Sequence, residues 1–154
     1  NISTEMCIFD DDGDRIRMYL QKRDSLAKNP HEPYPEMYCA WGTTHEPFDS
    51  VLETFLRVQK KLGAEFPLAL PVEVFPREGK YLPEAQDPPR GVYLLRIFVT
   101  VPMGDIVSPN GHWFYLDEIP LQELVASHLG LIIPRATWKF CQLRESGWQW
   151  QKME

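Results

Sequence analysis

Apolar and polar residues follow the same order of spacings twice along this chain. An extended segment, an amphipathic helical segment and two further extended segments occupy residues 36–101, and a shorter version of the series occupies residues 112–152. A βαββ unit cannot bury both its helix and its sheet face alone, so two such units tend to share one sheet and leave a groove between them. The pattern therefore predicts a single α+β domain over residues 1–154.

The first unit contains the clearest helix, over residues 47–62. Lys60 and Lys61 in its last turn face water and favour the negative end of the helix dipole. Apolar residues recur at helical spacing and form a stripe on the opposite face. That stripe consists of Phe48, Val51, Leu52, Phe55, Val58 and Leu62.

The second unit is predicted to contain a shorter helix followed by a hairpin. The helix begins near Asp117, has His128 on its inner face and ends at Gly130. Residues 137–143 and 148–152 are then predicted to form the last two strands.

An N-terminal β-hairpin over residues 5–22 precedes both units. Its turn contains Asp12 and Gly13, and an Asp-Gly pair between two β-prone runs is a hairpin signal. The fold class is therefore α+β, with an antiparallel or mixed sheet and two helices on one face. A duplicated βαββ arrangement and a ferredoxin-like arrangement both fit this series.

Charge and cysteine usage narrow the partners and the compartment. The net charge of −6 makes nucleic acid an unlikely partner, because nucleic-acid affinity rests on clustered Lys and Arg. Three cysteines without CxxC spacing indicate free buried thiols in a reducing compartment, so we expect a cytoplasmic protein. No apolar run is long enough to span a bilayer, so no membrane partner is expected. The chain begins at Asn1 rather than Met, which leaves targeting open.

No arrangement of side chains defines an enzyme, and no metal or cofactor site is predicted. The acidic run Asp10–Asp14 lacks the alternating ligands of a calcium loop and suits a solvated turn. Cys39 lies near His45, but a strand and a turn separate their side chains, and a small core residue is the better interpretation of Cys39. Whether the chain is an enzyme is left open, with catalysis the less favoured answer.

Glu73 is the most informative single polar residue. It stands between Val72 and Val74 on a strand that should be largely buried, where a carboxylate is costly unless it is paired. It would then await a cationic ligand. The alternatives are that Arg96 on a neighbouring strand pairs with it or that its face is exposed.

Tryptophans near the C-terminus form a second candidate surface. Trp148 and Trp150 are two positions apart and share one face of a predicted strand. Exposed, they would contact a protein partner; buried, they belong to the core.

The segment from Tyr38 to Met103 resembles the GyrI-like family of small-molecule-binding domains. The resemblance rests on the residues around Trp41 and Pro47, on Pro71–Phe75, and on Leu95–Pro102. It implies a ligand pocket with a glutamate on the strand after the helix, and Glu73 stands at the matching position.

Two functional hypotheses follow. The first is a non-catalytic domain that holds a hydrophobic or cationic small molecule in the groove between the two units, with Glu73 as the charge anchor and aromatic walls formed by Tyr38, Trp41, Phe75 and Tyr93. The alternative is a protein-interaction module, such as an inhibitor, an immunity-type protein or a subunit of a complex. It would use an acidic surface together with Trp148 and Trp150.

Overall fold

A computed structural model describes residues 2–45, 50–62, 68–75, 94–106 and 108–152. Within these residues, seven strands form one mixed sheet, and two α-helices pack against it. The strands are β1 (Ile2–Asp11), β2 (Ile16–Lys22), β3 (Tyr38–Cys39), β4 (Trp41–His45), β5 (Val72–Glu73), β6 (Leu94–Thr100) and β7 (Gly111–Tyr115). The helices are α1 (Val51–Leu62) and α2 (Ile133–Glu145).

The predicted N-terminal hairpin is present as β1 and β2, which pair antiparallel. Gly13 has φ of 101°, a conformation that glycine adopts without strain. The acidic run serves this turn, because the carboxylate of Asp11 accepts the N–H of Gly13 and that of Asp12 accepts the N–H of Arg15. These side-chain bonds replace the backbone bonds that a turn cannot form.

The strands β1 and β2 separate halfway along their length. Ile8–Asp11 of β1 pair with β2, whereas Ile2–Met6 pair with β4. Similarly, Ile16–Tyr19 of β2 pair with β1, and its last two residues pair with β3. Because β6 and β7 cover the other sides of β1 and β2, the segment Tyr38–His45 is inserted between them.

The two helices lie on opposite faces of the sheet. Alternate residues of β1 point to opposite sides; Met6 and Ile8 pack in one cluster with Phe55 of α1, and Phe9 packs in the other with Phe140 of α2. The rings of Phe9 and Phe140 stack with centroids 4.8 Å apart. The prediction of two helices on one face is therefore wrong, and the arrangement is neither a clear βαββ duplication nor ferredoxin-like.

The C-terminal elements also differ from the prediction. Short 3-10 segments, Leu116–Glu118 and Leu121–Glu123, replace the helix expected from Asp117, since Pro120 lies between them and has no N–H to donate. A π-helical turn, His128–Ile132, then leads into α2.

The helix α2 occupies the region where a hairpin was predicted. Its buried residues Ala136, Phe140 and Leu143 have helical spacing, whereas Trp138 is 56% exposed. On the predicted strand Trp138 and Phe140 would have shared one face, whereas on a helix they point in different directions.

The helix α1 is confirmed, although its described part begins at Val51 rather than at residue 47. A capping box sets its start: the Ser50 hydroxyl accepts the N–H of Glu53 at 3.1 Å, and the Glu53 carboxylate accepts the N–H of Ser50 at 2.9 Å. Phe55, Val58 and Leu62 are buried as predicted, but Leu52 is 47% exposed.

Replacing Ser50 with Ala should destabilise the protein by about 1 kcal/mol, because one N–H at the start of α1 loses its acceptor. Urea unfolding measures this free energy. Glu53→Gln is the matched control, since glutamine retains the reciprocal hydrogen bond and should cost less. Equal unfolding free energies for Ser50→Ala and the parent would contradict the role of the capping box.

The last turn of α2 is tied to the end of β1. Arg144 Nη1 donates to Asp11 Oδ2 at 2.8 Å, and this bond, with the N–H of Gly13, lowers the pKa of Asp11 below its ordinary value of 3.8. A carboxyl with a lowered pKa in the folded state stabilises the fold above its unfolded pKa, and this contribution is lost as pH falls through the folded pKa.

Asp11→Asn should therefore lower the stability of the protein between pH 5 and pH 7, and this effect should shrink as the pH falls through the lowered pKa of Asp11 in the folded state. Urea unfolding at several pH values tests this linkage. Asp14→Asn, in the same turn but without the contact to Arg144, is the control. A constant effect of Asp11→Asn across the pH range would contradict the linkage.

Candidate functional site

A polar pocket of about 400 Å³ lies where β2 extends beyond its pairing with β1. The C-terminal end of β2 forms one wall, and the start of β4 and the last turn of α1 form the other. The pocket follows from the separation of β1 and β2, which brings Trp41 on β4 and Lys61 on α1 near the end of β2. Its lining residues are Gln21, Lys22, Arg23, Asp24, Asn29, Glu32, Trp41, Lys61 and Asn110.

Arg23 and Glu32 form a bidentate ion pair within this pocket. Arg23 Nε and Nη2 donate to the two oxygens of Glu32 at 2.8 and 3.1 Å, and the Glu32 side chain is only 4% exposed. The N–H of Tyr34 also donates to Glu32 at 3.1 Å. The pair holds the loop after β2 against the sheet, and its two charges neutralise each other.

Lys22 and Lys61 supply positive charge to the pocket, and neither forms a direct ion pair with a described residue. Lys61 Nζ donates to the backbone oxygen of Gly42 at 2.7 Å, and Lys22 Nζ lies 5.7 Å from the centre of the Tyr38 ring. Across residues 2–45, 50–62, 68–75, 94–106 and 108–152, neither ammonium has a carboxylate within 4 Å.

The balance of charge in the pocket is positive, because three cationic side chains and two carboxylates line it. This pocket was not predicted from the sequence. Lys61 was interpreted only as a water-facing residue in the last turn of its helix. No local signal connects it to the end of β2, since their proximity depends on the inserted segment.

A buried carboxylate lies beside the pocket. Glu5 is directly opposite Gly42 in the sheet, and a Cβ atom at position 42 would come within 2.6 Å of the Glu5 carboxylate. His128 Nε2 lies 3.7 Å from Glu5 Oε2, and both side chains are buried. Burial, together with the negative charge of Glu5, raises the pKa of nearby Cys39 to about 12. Cys39 therefore remains a protonated thiol at neutral pH, as expected of a core residue.

Among the predicted ligand residues that the structure describes, Trp41 alone lines the polar pocket. Its side chain is buried, stacks on Tyr19 with ring centroids 5.6 Å apart, and has an indole N–H without a hydrogen-bond partner among the described residues.

Glu73 lies far from this pocket. Trp41, Met6, Phe98 and Glu73 form one row across β4, β1, β6 and β5. Three strand spacings of about 4.8 Å place the ends of this row about 14 Å apart. The buried side chains of Met6 and Phe98 fill the space between them. Trp41 and Glu73 therefore do not share a cavity.

Arg96 is the partner of Glu73 in the structure. Its Nε and Nη2 donate to the two oxygens of Glu73 at 2.8 and 2.9 Å. Pairing with Arg96 was one of the two alternatives to a ligand-binding role for Glu73, and the structure contains this pair. A ligand-binding role for Glu73 stays a prediction, and the pairing means that a cation would have to compete with Arg96.

The other predicted pocket residues are dispersed. Tyr38 meets the rings of His112 and Phe114 edge to face, and Phe75 lies beneath the guanidinium of Arg135 at 5.9 Å. Tyr93 lies outside the described residues. Tyr38 and Phe75 therefore contact different parts of the structure, and the binding roles of all three residues stay predictions.

The two C-terminal tryptophans are in contact. Trp148 is 44% exposed, and its ring meets that of the half-buried Trp150 at 82°. Trp150 in turn stacks against Phe140 of α2. One ring therefore belongs partly to the core and the other to the surface. Their role in binding a partner stays a prediction.

A second, apolar pocket of about 290 Å³ lies between the two 3-10 segments and α2. Leu116, Ile119, Leu121, Leu124, Leu129, Ile133, Pro134 and Thr137 line it.

Divalent cations are normally held by groups of oxygen ligands. In the part of the chain that the structure describes, no group of three His, Cys, Asp or Glu residues is placed to hold a metal ion. Within the same residues, no helix has the length and apolar character needed to cross a membrane. A cytoplasmic location stays a prediction.

Comparison with known proteins identifies the fold. No family model matches the sequence, and no curated protein sequence matches it. Solved structures do match. A mutT/nudix family protein from Listeria innocua is 16% identical with a TM-score of 0.61, and the alignment covers 94% of both chains. The Nudix hydrolase RenU from M. smegmatis is 9% identical with a TM-score of 0.59, over 95% of this chain and 87% of that one.

The Nudix domain of Shewanella oneidensis NrtR, solved with ADP ribose, is 15% identical with a TM-score of 0.56 and aligns over 90% of this chain and 87% of that one. These likenesses show that the chain has the Nudix fold.

The Nudix fold corrects the resemblance and both functional hypotheses. The GyrI-like resemblance is wrong, since the structural neighbours are Nudix proteins. The hypothesis of a non-catalytic domain for a hydrophobic or cationic molecule is wrong, because these neighbours are hydrolases and a domain with ADP ribose bound. The same comparison overturns the alternative of a protein-interaction module.

The expectation that nucleic acid is an unlikely partner is also unsupported. Shewanella oneidensis NrtR, solved with a 27mer DNA, is 14% identical with a TM-score of 0.53; this chain covers 63% of its length.

Replacing Glu32 with Gln should destabilise the protein by about 2 kcal/mol, because Arg23 then keeps a partly buried charge without its anionic partner. Thermal and urea unfolding measure the change. Asp117→Asn is the control, since it removes a carboxylate from the exposed pair with Arg15 and should cost less than about 1 kcal/mol. Equal losses in the two variants would show that the Arg23–Glu32 pair is no more important than a surface pair.

Proposed function

We propose that the polar pocket binds the phosphate groups of a nucleotide-class ligand such as ADP-ribose. The observation that carries this proposal is the pair of ammonium groups, Lys22 and Lys61, which have no carboxylate partner among the described residues. A phosphate oxygen that accepts a hydrogen bond from an ammonium gains a charge-assisted bond, which is stronger than a neutral one.

The shape and the chemistry of the pocket support a ligand of this class. Its volume of about 400 Å³ is within the range of sites for small organic ligands. The amide side chains of Gln21, Asn29 and Asn110 line it as further polar groups. The Arg23–Glu32 pair keeps the loop wall in place, so little ordering is required when a ligand binds.

The structural neighbours support the same ligand class. The NrtR Nudix domain was solved with ADP ribose, which carries two phosphates between two sugars. The likeness brings this ligand to the present chain as a candidate, and the positive pocket gives a physical reason for testing it.

Hydrolysis of such a ligand is the second candidate, favoured by the neighbour that is a Nudix hydrolase. Phosphoryl chemistry usually depends on divalent cations held by carboxylates, whereas the described wall of this pocket on α1 carries Lys61. The described residues therefore fit direct binding of phosphate by ammonium groups, and we derive no step that runs through a metal ion.

Titration calorimetry with ADP-ribose tests the binding proposal. Lys61→Met should weaken binding about tenfold or more, because one charge-assisted hydrogen bond is lost. Lys60→Met is the matched control: it removes the same charge from the same helix turn but does not line the pocket. Raising the salt concentration should weaken binding by the parent protein.

Two results would contradict the proposal: no binding by the parent protein, or equal affinities in the Lys61 and Lys60 variants. Phosphorus NMR of ADP-ribose, incubated with the protein and either Mg²⁺ or Mn²⁺, separates binding from hydrolysis. New phosphate resonances that depend on the protein would establish turnover.

A further inference from the structure

A carboxylate without a partner among the described residues lies in the same positive pocket. Asp24 follows directly after the Arg23 of the ion pair, and its backbone oxygen accepts the N–H of Glu36 at 3.1 Å. Among the described residues, its carboxylate has no hydrogen-bond or ion-pair partner. The other pocket carboxylate, Glu32, is fully occupied by Arg23 and Tyr34. Asp24 is therefore the pocket carboxylate that remains available to a ligand.

The presence of Asp24 restricts which phosphate compounds the pocket suits. A half-buried carboxylate beside Lys22 and Lys61 repels a bare phosphate or pyrophosphate, since like charges at short range disfavour each other. The repulsion is offset only when the ligand also brings hydrogen-bond donors to that carboxylate. Adjacent hydroxyl groups of a sugar are such donors, and an ionised carboxylate accepts hydrogen bonds but donates none.

We propose that Asp24 accepts hydrogen bonds from sugar hydroxyl groups next to the ligand's phosphates, and that it selects sugar phosphates over inorganic anions. This assignment rests on the proposed function of the pocket. It divides the site into a phosphate end, formed by the two lysines, and a hydroxyl end at Asp24. Carboxylates serve the same purpose at ribose hydroxyls in dinucleotide-binding folds.

The test compares two ligands, ADP-ribose and inorganic pyrophosphate, by titration calorimetry on three proteins. Asp24→Asn should weaken ADP-ribose binding about tenfold and strengthen pyrophosphate binding severalfold, because the substitution removes both the strong acceptor and the repulsion. Asp14→Asn, an exposed carboxylate outside the pocket, should change neither affinity beyond a small effect of net charge. Thermal unfolding confirms that both variants remain folded.

A second ligand pair tests the same contact without relying on net charge. The parent protein should bind ribose 5-phosphate more tightly than 2-deoxyribose 5-phosphate, and Asp24→Asn should lose that preference. An equal preference in the two proteins would overturn the assignment.

The other outcomes are also decisive. If Asp24→Asn changes the affinities for both ligands alike, Asp24 does not bind hydroxyl groups. The phosphate site is still supported in that case, provided that Lys61→Met weakens the binding of both ligands. If the parent protein binds neither ligand, the proposed function fails, and the assignment of Asp24 fails with it.

Discussion

The separation of β1 from β2 is the constraint on which the rest of this structure depends. Along one side, β1 pairs with β2 over part of its length and with β4 over the rest, and β2 pairs likewise with β1 and then with β3. The segment Tyr38–His45 is therefore inserted inside the sheet. This insertion places Trp41 and Gly42 beside the last turn of α1. The end of β2, which pairs with β3 rather than with β1, forms a wall of the pocket. The position of the candidate site is therefore a consequence of how the strands share their hydrogen bonds.

The pocket has a positive balance of charge, whereas the whole chain is negative. The protein carries a net charge of −6, yet its polar pocket carries more positive than negative groups. Surface carboxylates are screened by water and salt over about 10 Å, so the local arrangement of charges governs what a pocket binds. The net charge of a chain is therefore a weak guide to the charge of the ligand that one of its pockets binds.

Local patterns in the sequence predicted the elements that depend on local chemistry. The N-terminal hairpin and α1 were recognised because an Asp-Gly turn and a helical stripe are each contained within a few residues. The predicted secondary structure was wrong between Asp117 and Trp150, because the apolar residues there fit two patterns. Trp138 and Phe140 have the alternate spacing of a strand, whereas Ala136, Phe140 and Leu143 have the spacing of a helix. Pro134 stands in the first turn of α2, where it is well tolerated, and this was the available signal for a helix.

The candidate site was less predictable than the elements. Trp41 was selected for its aromatic ring and does line the pocket, but Lys22, Asp24 and Lys61 were not recognised. These residues come from two separate parts of the chain, the end of β2 with the loop that follows it and the last turn of α1, and they meet only through the inserted segment. Glu73 drew attention as a carboxylate on a buried strand, and its bidentate pairing with Arg96 accounts for its position without a ligand.

The parallel pairing of β1 with β6 has a consequence for how this chain is made. Ile2 is paired with Leu94, so more than half of the sequence must be synthesised before β1 can pair with β6. Contacts between residues so distant along the chain slow folding, because the entropy of closing a long loop is lost before the contact forms. During synthesis β1 and β2 can pair early, leaving one side of β1 as an open strand edge. An apolar edge of this kind is prone to pair with other chains, so the nascent protein is most vulnerable to aggregation before β6 leaves the ribosome.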